Sequence, residues 1–152
     1  MATLRKIISG RKSKANGDRF EYELYKAALE QGFAAIKIPS GCRSLGVNKL
    51  IRVQTPFDFI FTKDSKVIVA DAKTTSANTF SKSQITLHQL HALLDQERHG
   101  IMAGYIVKFQ RTERVIFYNA SQLHTVNQGE GLNQNEGVDI GSVKKLNLGL
   151  IL

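Results

Sequence analysis

Two aspartates and a lysine sit where a core hairpin should carry only apolar side chains. They fall in the stretch QTPFDFIFTKDSKVIVADAK, residues 54–73, which reads as two short strands joined by a tight turn. With Lys63-Asp64-Ser65-Lys66 as the turn, Lys63 pairs with Lys66. The same register then sets Asp58 opposite Asp71. Facing residues in an antiparallel pair have Cβ atoms roughly 5 Å apart. Two carboxylates that close repel each other unless a proton or a cation lies between them. A divalent metal is the expected cation, and Lys73 projects from the same face as Asp71. The bland alternative is a buried Asp–Lys ion pair that holds the hairpin, but such pairs stabilise poorly compared with apolar residues.

Glu21, Asp58 and Asp71 are hard oxygen donors, suited to Mg²⁺ or Mn²⁺ rather than zinc. A metal among them can activate water, polarise a phosphoryl oxygen and steady a leaving 3′ oxygen. Lys73 beside it can orient or deprotonate the attacking water, or neutralise charge on pentavalent phosphorus. No Cys/His ligand set accompanies these residues, and His88 and His91 read as solvated helix residues. Lone Cys42 lacks the surroundings of a nucleophile. The chemistry indicated is metal-dependent phosphodiester hydrolysis.

The elements that must position these groups follow from periodicity. In the first hairpin strand Phe57, Phe59 and Phe61 share one face, with Asp58 and Ile60 on the other. In the second, Val67, Val69, Asp71 and Lys73 share a face opposite Ile68, Ala70 and Ala72. A helix is predicted over residues 18–31, with Phe20, Leu24, Ala27 and Ala28 as its apolar stripe and Gly32 as its stop. Glu21 lies beside that stripe and Glu23 on the wetter side, so Glu21 is the better inward carboxylate. Asp18-x-x-Glu21 also has the spacing of a capping box, and spacing leaves cap and ligand open. Residues 33–38 read as a strand closed by Pro39-Ser40-Gly41, followed by a polar basic loop over 40–54. Beyond the hairpin come a polar loop (74–83), a helix (about 83–98), two strands (101–109 and 114–118) and a short helix capped by Ser121. Residues 128–135 look linker-like, and 143–152 are apolar enough to dock as a final strand or against a partner subunit. This order predicts an α/β fold with a mixed central sheet flanked by helices. The expected organisation is a flexible basic arm over 1–17, a catalytic domain over 18–127 and a C-terminal tail over 128–152.

With 152 residues and 42% hydrophobic content, one domain with a real core is expected. There is no apolar run of membrane-span length and no signal-peptide core, and a single cysteine fits a reducing, cytoplasmic setting. The net charge of +8 is unevenly spread. Residues 1–17 hold Arg5, Lys6, Arg11, Lys12 and Lys14 without an acid, and residues 31–57 hold Lys37, Arg43, Lys49 and Arg52 ahead of Asp58. That points to a nucleic-acid partner rather than a membrane. The arm residues, Arg19, Ser40, Arg43, Lys49 and Arg52 are the expected DNA contacts.

At Asp58 and Asp71-Ala72-Lys73 the chain resembles the PD-(D/E)XK nucleases, written here FD…DAK. The upstream GDRFEYEL, the TPFDFIF and AKTTSANTFS segments, HQLHAL and YIVKF extend the likeness over roughly residues 14–118. Together they resemble the Holliday junction resolvases of archaeal and bacterial RecU type. The resemblance implies a restriction-endonuclease-like core, with Glu21, Asp58 and Asp71 as metal ligands and Lys73 as the catalytic lysine. It implies Gln89 as an auxiliary that positions the lysine or water, and Ser40 as the match to a serine after the first strand. It further implies Mg²⁺, with Mn²⁺ as a substitute, and homodimers that nick opposing strands of a four-way junction. Position 71 is Asp where most resolvases have Glu, and Phe57 stands where the signature has Pro. The 40–54 loop is short for the stalk of RecU proteins, which suggests a minimal, phage-type resolvase. The alternatives are a restriction-like or repair endonuclease acting on duplex DNA, and an inactive DNA-binding protein.

Overall fold

A computed structural model describes residues 2–44 and 50–152. The chain opens with one helix, α1 (Ala2–Glu30), where a basic arm and a helix start at Asp18 were expected. Asn16-Gly17-Asp18 is a turn signal, yet it lies inside α1. The segment 20–28 is anchored by Phe20, Leu24 and Ala28, all buried. Arg19–Glu23 and Lys26–Glu30 add i,i+4 pairs on its surface. Extending a formed helix is far easier than nucleating one, and a helical glycine costs only about 1 kcal/mol. With the helix running through it, Asp18 cannot be an N-cap, so the capping-box reading of Glu21 falls. Gly32, at φ +78°, ends the helix as expected. Phe33 N–H donates to Ala28 O at 2.9 Å and Gly32 N–H to Leu29 O at 3.0 Å.

Next come β1 (Ala34–Lys37), then β2 (Gly41–Ser44) and β3 (Leu50–Val53), which pair antiparallel where a polar basic loop was expected. The central pair is β4 (Phe59–Lys63) and β5 (Lys66–Thr75). Lys63 faces Lys66 and Phe59 faces Ala70, the register read from the sequence. Asp64 and Ser65 both have positive φ, 50° and 64°, as a two-residue type I′ turn requires. The expected 74–83 loop instead finishes β5, forms β6 (Thr79–Ser81) and makes a 3₁₀ turn. The following helix, α2 (Leu87–Arg98), starts at Thr86 rather than near 83. Strands β7 (Met102–Phe109) and β8 (Arg114–Asn119) follow, then α3 (Ala120–Thr125), which begins after Asn119 rather than at Ser121. The linker-like stretch contains β9 (Gly131–Asn133), paired to β6. The chain closes with β10 (Val138–Ser142), β11 (Lys145–Leu146) and a 3₁₀ turn.

The main sheet runs β1-β4-β5-β7-β8-β10-β11, with β5 and β7 parallel and the other pairs antiparallel. Helix α2 lies between β5 and β7 in the chain, as a parallel pair demands. Alternation splits the core. Ile68 and Ala70 join Phe59, Phe61 and the α1 stripe on one face. Val69 joins Leu90, Leu93, Tyr105 and Tyr118 on the other, under α2 and α3. The C-terminal segment belongs to the first of these cores through Ile140, Leu146, Leu148 and Ile151. Among the described residues, no helix is long and apolar enough to cross a membrane.

Candidate active site

The site forms where β4 stops and β5 continues. Ladder pairing between them ends at Phe59 and Ala70, with a last bond from Asp58 N–H to Ala70 O at 3.1 Å. Beyond that point β5 stays paired to β7 as far as Thr75, so its other edge opens. The Ala72 N–H on that edge would lack a partner, and Asp58 Oδ2 accepts it at 2.8 Å. That bond fixes the Asp58 carboxylate beside Asp71.

Asp71 is fully buried. Its Oδ1 accepts from Gln89 Nε2 at 2.8 Å, and its Oδ2 lies 2.8 Å from Lys73 Nζ. The second contact is an ion pair by distance, but it is poorly directed as a hydrogen bond and leaves Oδ2 without an aligned donor. Lys73 in turn donates to Gln89 Oε1 at 3.4 Å. Gln89 reaches the site from the first turn of α2, where Thr86 caps the helix by accepting Gln89 N–H at 3.2 Å. Tyr105, in register with Asp71 on β7, adds a buried wall; its hydroxyl has no hydrogen-bond partner among the described residues.

Electrostatics follow from this burial. Desolvation pushes the Asp71 carboxyl up to about 7, with Lys73 pulling it down and Asp58 pushing it further up. Burial, helped by the charge of Asp71, also raises the Tyr105 phenol above its ordinary range. A carboxyl pair, Asp71 buried and Asp58 half-buried, with one unaligned oxygen fits a divalent cation, so the two could hold one. Glu21 lines the same cleft, of about 710 Å³, together with Lys14, Asp18, Ser40, Asp58 and Lys73. Its Oε2 sits 2.8 Å from Lys37 Nζ. Among the described residues, no three acidic, histidine or cysteine side chains converge tightly enough to enclose a metal. The expected set of three carboxylates therefore shares one cleft without closing on one point.

The expected DNA contacts are scattered. Lys14 and Ser40 line the cleft, Lys12 is exposed, and Arg19 pairs with Glu23 at 3.1 Å beside a separate cleft with Asn16, Thr74 and Lys108. Lys49 lies outside the described residues, as do the side chains of Arg5, Lys6, Arg11, Arg43 and Arg52. Sequence reasoning did not single out Lys37 as a site residue. In sequence it is one charge in an acid-free stretch, and only the packing of β1 beside α1 brings it to Glu21.

No curated protein sequence matches the chain. A solved structure does: that of Archaeoglobus fulgidus Hjc, a Holliday junction resolvase from an archaeal hyperthermophile. It is 19% identical, with a TM-score of 0.59, and the likeness covers 82% of this chain and 96% of that one. The two share a fold, the restriction-endonuclease-like core. The sequence model of the family "Recombination protein U" matches residues 30–148, a span that holds Asp58, Asp71, Lys73 and Gln89 and leaves Glu21 outside. With most of its length and the whole sheet side of the cleft inside that match, this chain belongs to the recombination protein U family.

Proposed function

We propose that the protein is a Holliday junction resolvase: an endodeoxyribonuclease that hydrolyses phosphodiesters in opposing strands of a four-way junction, with Mg²⁺ as its metal and Mn²⁺ as a substitute. The observation that carries this reading is the open edge of β5. There Asp58, Asp71, Lys73 and Gln89 are tied into one network at the floor of a cleft, in a member of the recombination protein U family.

When bound between Asp58 and Asp71, a divalent ion supplies a Lewis acid for the scissile phosphate and lowers the pKa of water. The chain does the rest. Asp71 is held by Gln89, and Asp58 by the Ala72 amide, so neither carboxylate has to be ordered when substrate arrives. Lys73, steadied by Asp71 and Gln89, places a positive charge where negative charge gathers on phosphorus during attack. A water oxygen forms the new bond to phosphorus as the bond to the 3′ oxygen breaks. The water gives up a proton and the 3′ oxygen takes one. Lys12 and Lys14 on α1, Ser40, and the basic residues Arg5, Lys6, Arg11, Arg19, Arg43, Lys49 and Arg52 contribute sequence-independent contacts to phosphates. Two protomers in a homodimer place two such sites on the paired strands. The assignment of residues 1–17 to DNA gripping and of 18–127 to catalysis belongs to the same reading, as does a cytoplasmic setting.

The test compares a labelled immobile four-way junction with a linear duplex of the same arm sequence, each in Mg²⁺ and in EDTA. Symmetric nicks near the branch, on the junction alone and only with Mg²⁺, are expected. Equal cutting of both substrates would replace the reading with a general duplex nuclease. Tight binding with no cutting in Mg²⁺ or Mn²⁺ would leave only a DNA-binding protein.

A further inference from the structure

We propose that Lys37 is a positioning residue that keeps Glu21 out of the metal site until a DNA phosphate draws the lysine away. The third carboxylate would then join Asp58 and Asp71 only when substrate is present. This rests on the reading of the cleft as a divalent-metal nuclease site.

Three observations converge on Lys37. Its ammonium lies 2.8 Å from Glu21 Oε2, and the charges of Asp18 and Asp58 pull on it as well. Lys37, on β1 where it meets α1, therefore stands among acids beside the cleft, a cation in the place where a second cation would compete with it. Second, Lys37 is free to leave. It sits at the end of β1, an edge strand of the main sheet, with its side chain 49% exposed. Third, among the described residues Glu21 is held to the sheet by that one ion pair with Lys37, and by no backbone amide. Asp58 is fixed by a backbone amide and Asp71 by Gln89, whereas Glu21 pairs with a half-exposed lysine.

A phosphodiester entering the cleft offers Lys37 a competing anion, and lysine binds phosphate readily as a point charge. Exchanging carboxylate for phosphate leaves Glu21 uncompensated near Asp58, and that negative charge attracts a divalent ion. DNA and metal then help each other bind, and the coupling must be reciprocal. An incomplete ligand set without DNA also guards against hydrolysis by a fully loaded site on the wrong substrate.

The test reads metal affinity rather than cutting. Free Mn²⁺ is measured by EPR in titrations of the DNA-free protein as wild type, Lys37→Gln, Glu21→Gln, the double variant, and Lys66→Gln as a charge control in the distant hairpin turn. Lys37→Gln should bind Mn²⁺ tighter than wild type by about fivefold or more, the lower end of typical coupling. The gain should vanish in the Glu21→Gln background, and Lys66→Gln should track wild type. Equal affinity of Lys37→Gln and wild type would overturn the proposal. So would a gain that survives Glu21→Gln, because Lys37 would then act only as a general positive charge. The two readings fail separately. A protein that cuts junctions but shows no Lys37 effect loses only this inference, and one with the full Mn²⁺ pattern that never cuts loses only the resolvase reading.

Discussion

The sheet side and the helix side of the cleft are built to different standards. On the sheet side, Asp71 is fully buried, Asp58 is pinned by the Ala72 amide, and Gln89 ties Asp71 to Lys73. On the helix side, Glu21 and Lys37 form an ion pair with side chains 22% and 49% exposed. Exposed pairs of that kind are worth about 0–1 kcal/mol and rearrange easily. The buried side is organised before substrate arrives, and the exposed side is held in reserve.

The largest effects should therefore come from the sheet side. Lys73→Ala should lower single-turnover junction cleavage by about 10²- to 10³-fold, as loss of a preorganised charge-stabilising group does, with junction affinity retained. A loss of binding equal to the loss of cleavage would mean a folding defect. Glu21→Gln should cost less, about 10- to 100-fold in turnover, with a small change in melting temperature. If Glu21→Gln were as damaging as Lys73→Ala and also lowered melting steeply, the two sides would not differ as described.

Stability should respond in the opposite sense to activity. Asp71 ordinarily titrates near 3.8, and burial pushes it up to about 7 in the fold. Between those values the unfolded chain has released the proton that the folded chain still holds. The contribution of Asp71 to stability is thus fully present below about pH 4 and lost as pH rises through 7. Asp71→Asn carries no such charge. In metal-free buffer the variant should melt above wild type at pH 8, with the gap closing toward pH 4, although it no longer cuts DNA. Saturating divalent ion should raise the melting point of wild type more than that of the variant. A gap independent of pH would show that the buried charge is not its cause.

The hairpin was legible because its determinants are local. A two-residue turn with strict alternation on either side fixes register, observed from Lys63–Lys66 to Phe59–Ala70, and it brought Asp58 beside Asp71 just past the end of that ladder. The α1 and α2 stripes were legible for the same reason, since Phe20, Leu24, Leu90 and Leu93 recur at helical spacing. What escaped is short or pairs at a distance. The β2–β3 strands have four residues each in a stretch that reads as a basic loop, and β6–β9 joins residues some fifty positions apart. The helical form of residues 2–17 runs against their own turn and glycine signals and extends from the packed segment after them. Lys37 escaped for a related reason: its role depends on β1 lying against α1 rather than on any motif around it.

The smallest and most graded effect should come from α1 beyond the core. Residues 12–19 hold no buried side chain, so that stretch adds little to packing. Lys14 nonetheless lines the cleft, and the first fourteen residues hold Arg5, Lys6, Arg11, Lys12 and Lys14. If all five met phosphates, each would add about 0.9 to the slope of log affinity against log salt, or about 4.5 per protomer. Deleting residues 1–14 should flatten that slope by part of this amount and weaken junction binding most at low salt. The cleavage rate of saturated enzyme should change little, because the bonds that hold Asp58, Asp71, Lys73 and Gln89 are all made by residues outside the deleted segment. An unchanged slope would separate this half of α1 from DNA. A collapse in the saturated rate would instead make Lys14 part of the cleft's chemistry, and the contrast between a fixed sheet side and an adaptable helix side would have to be redrawn.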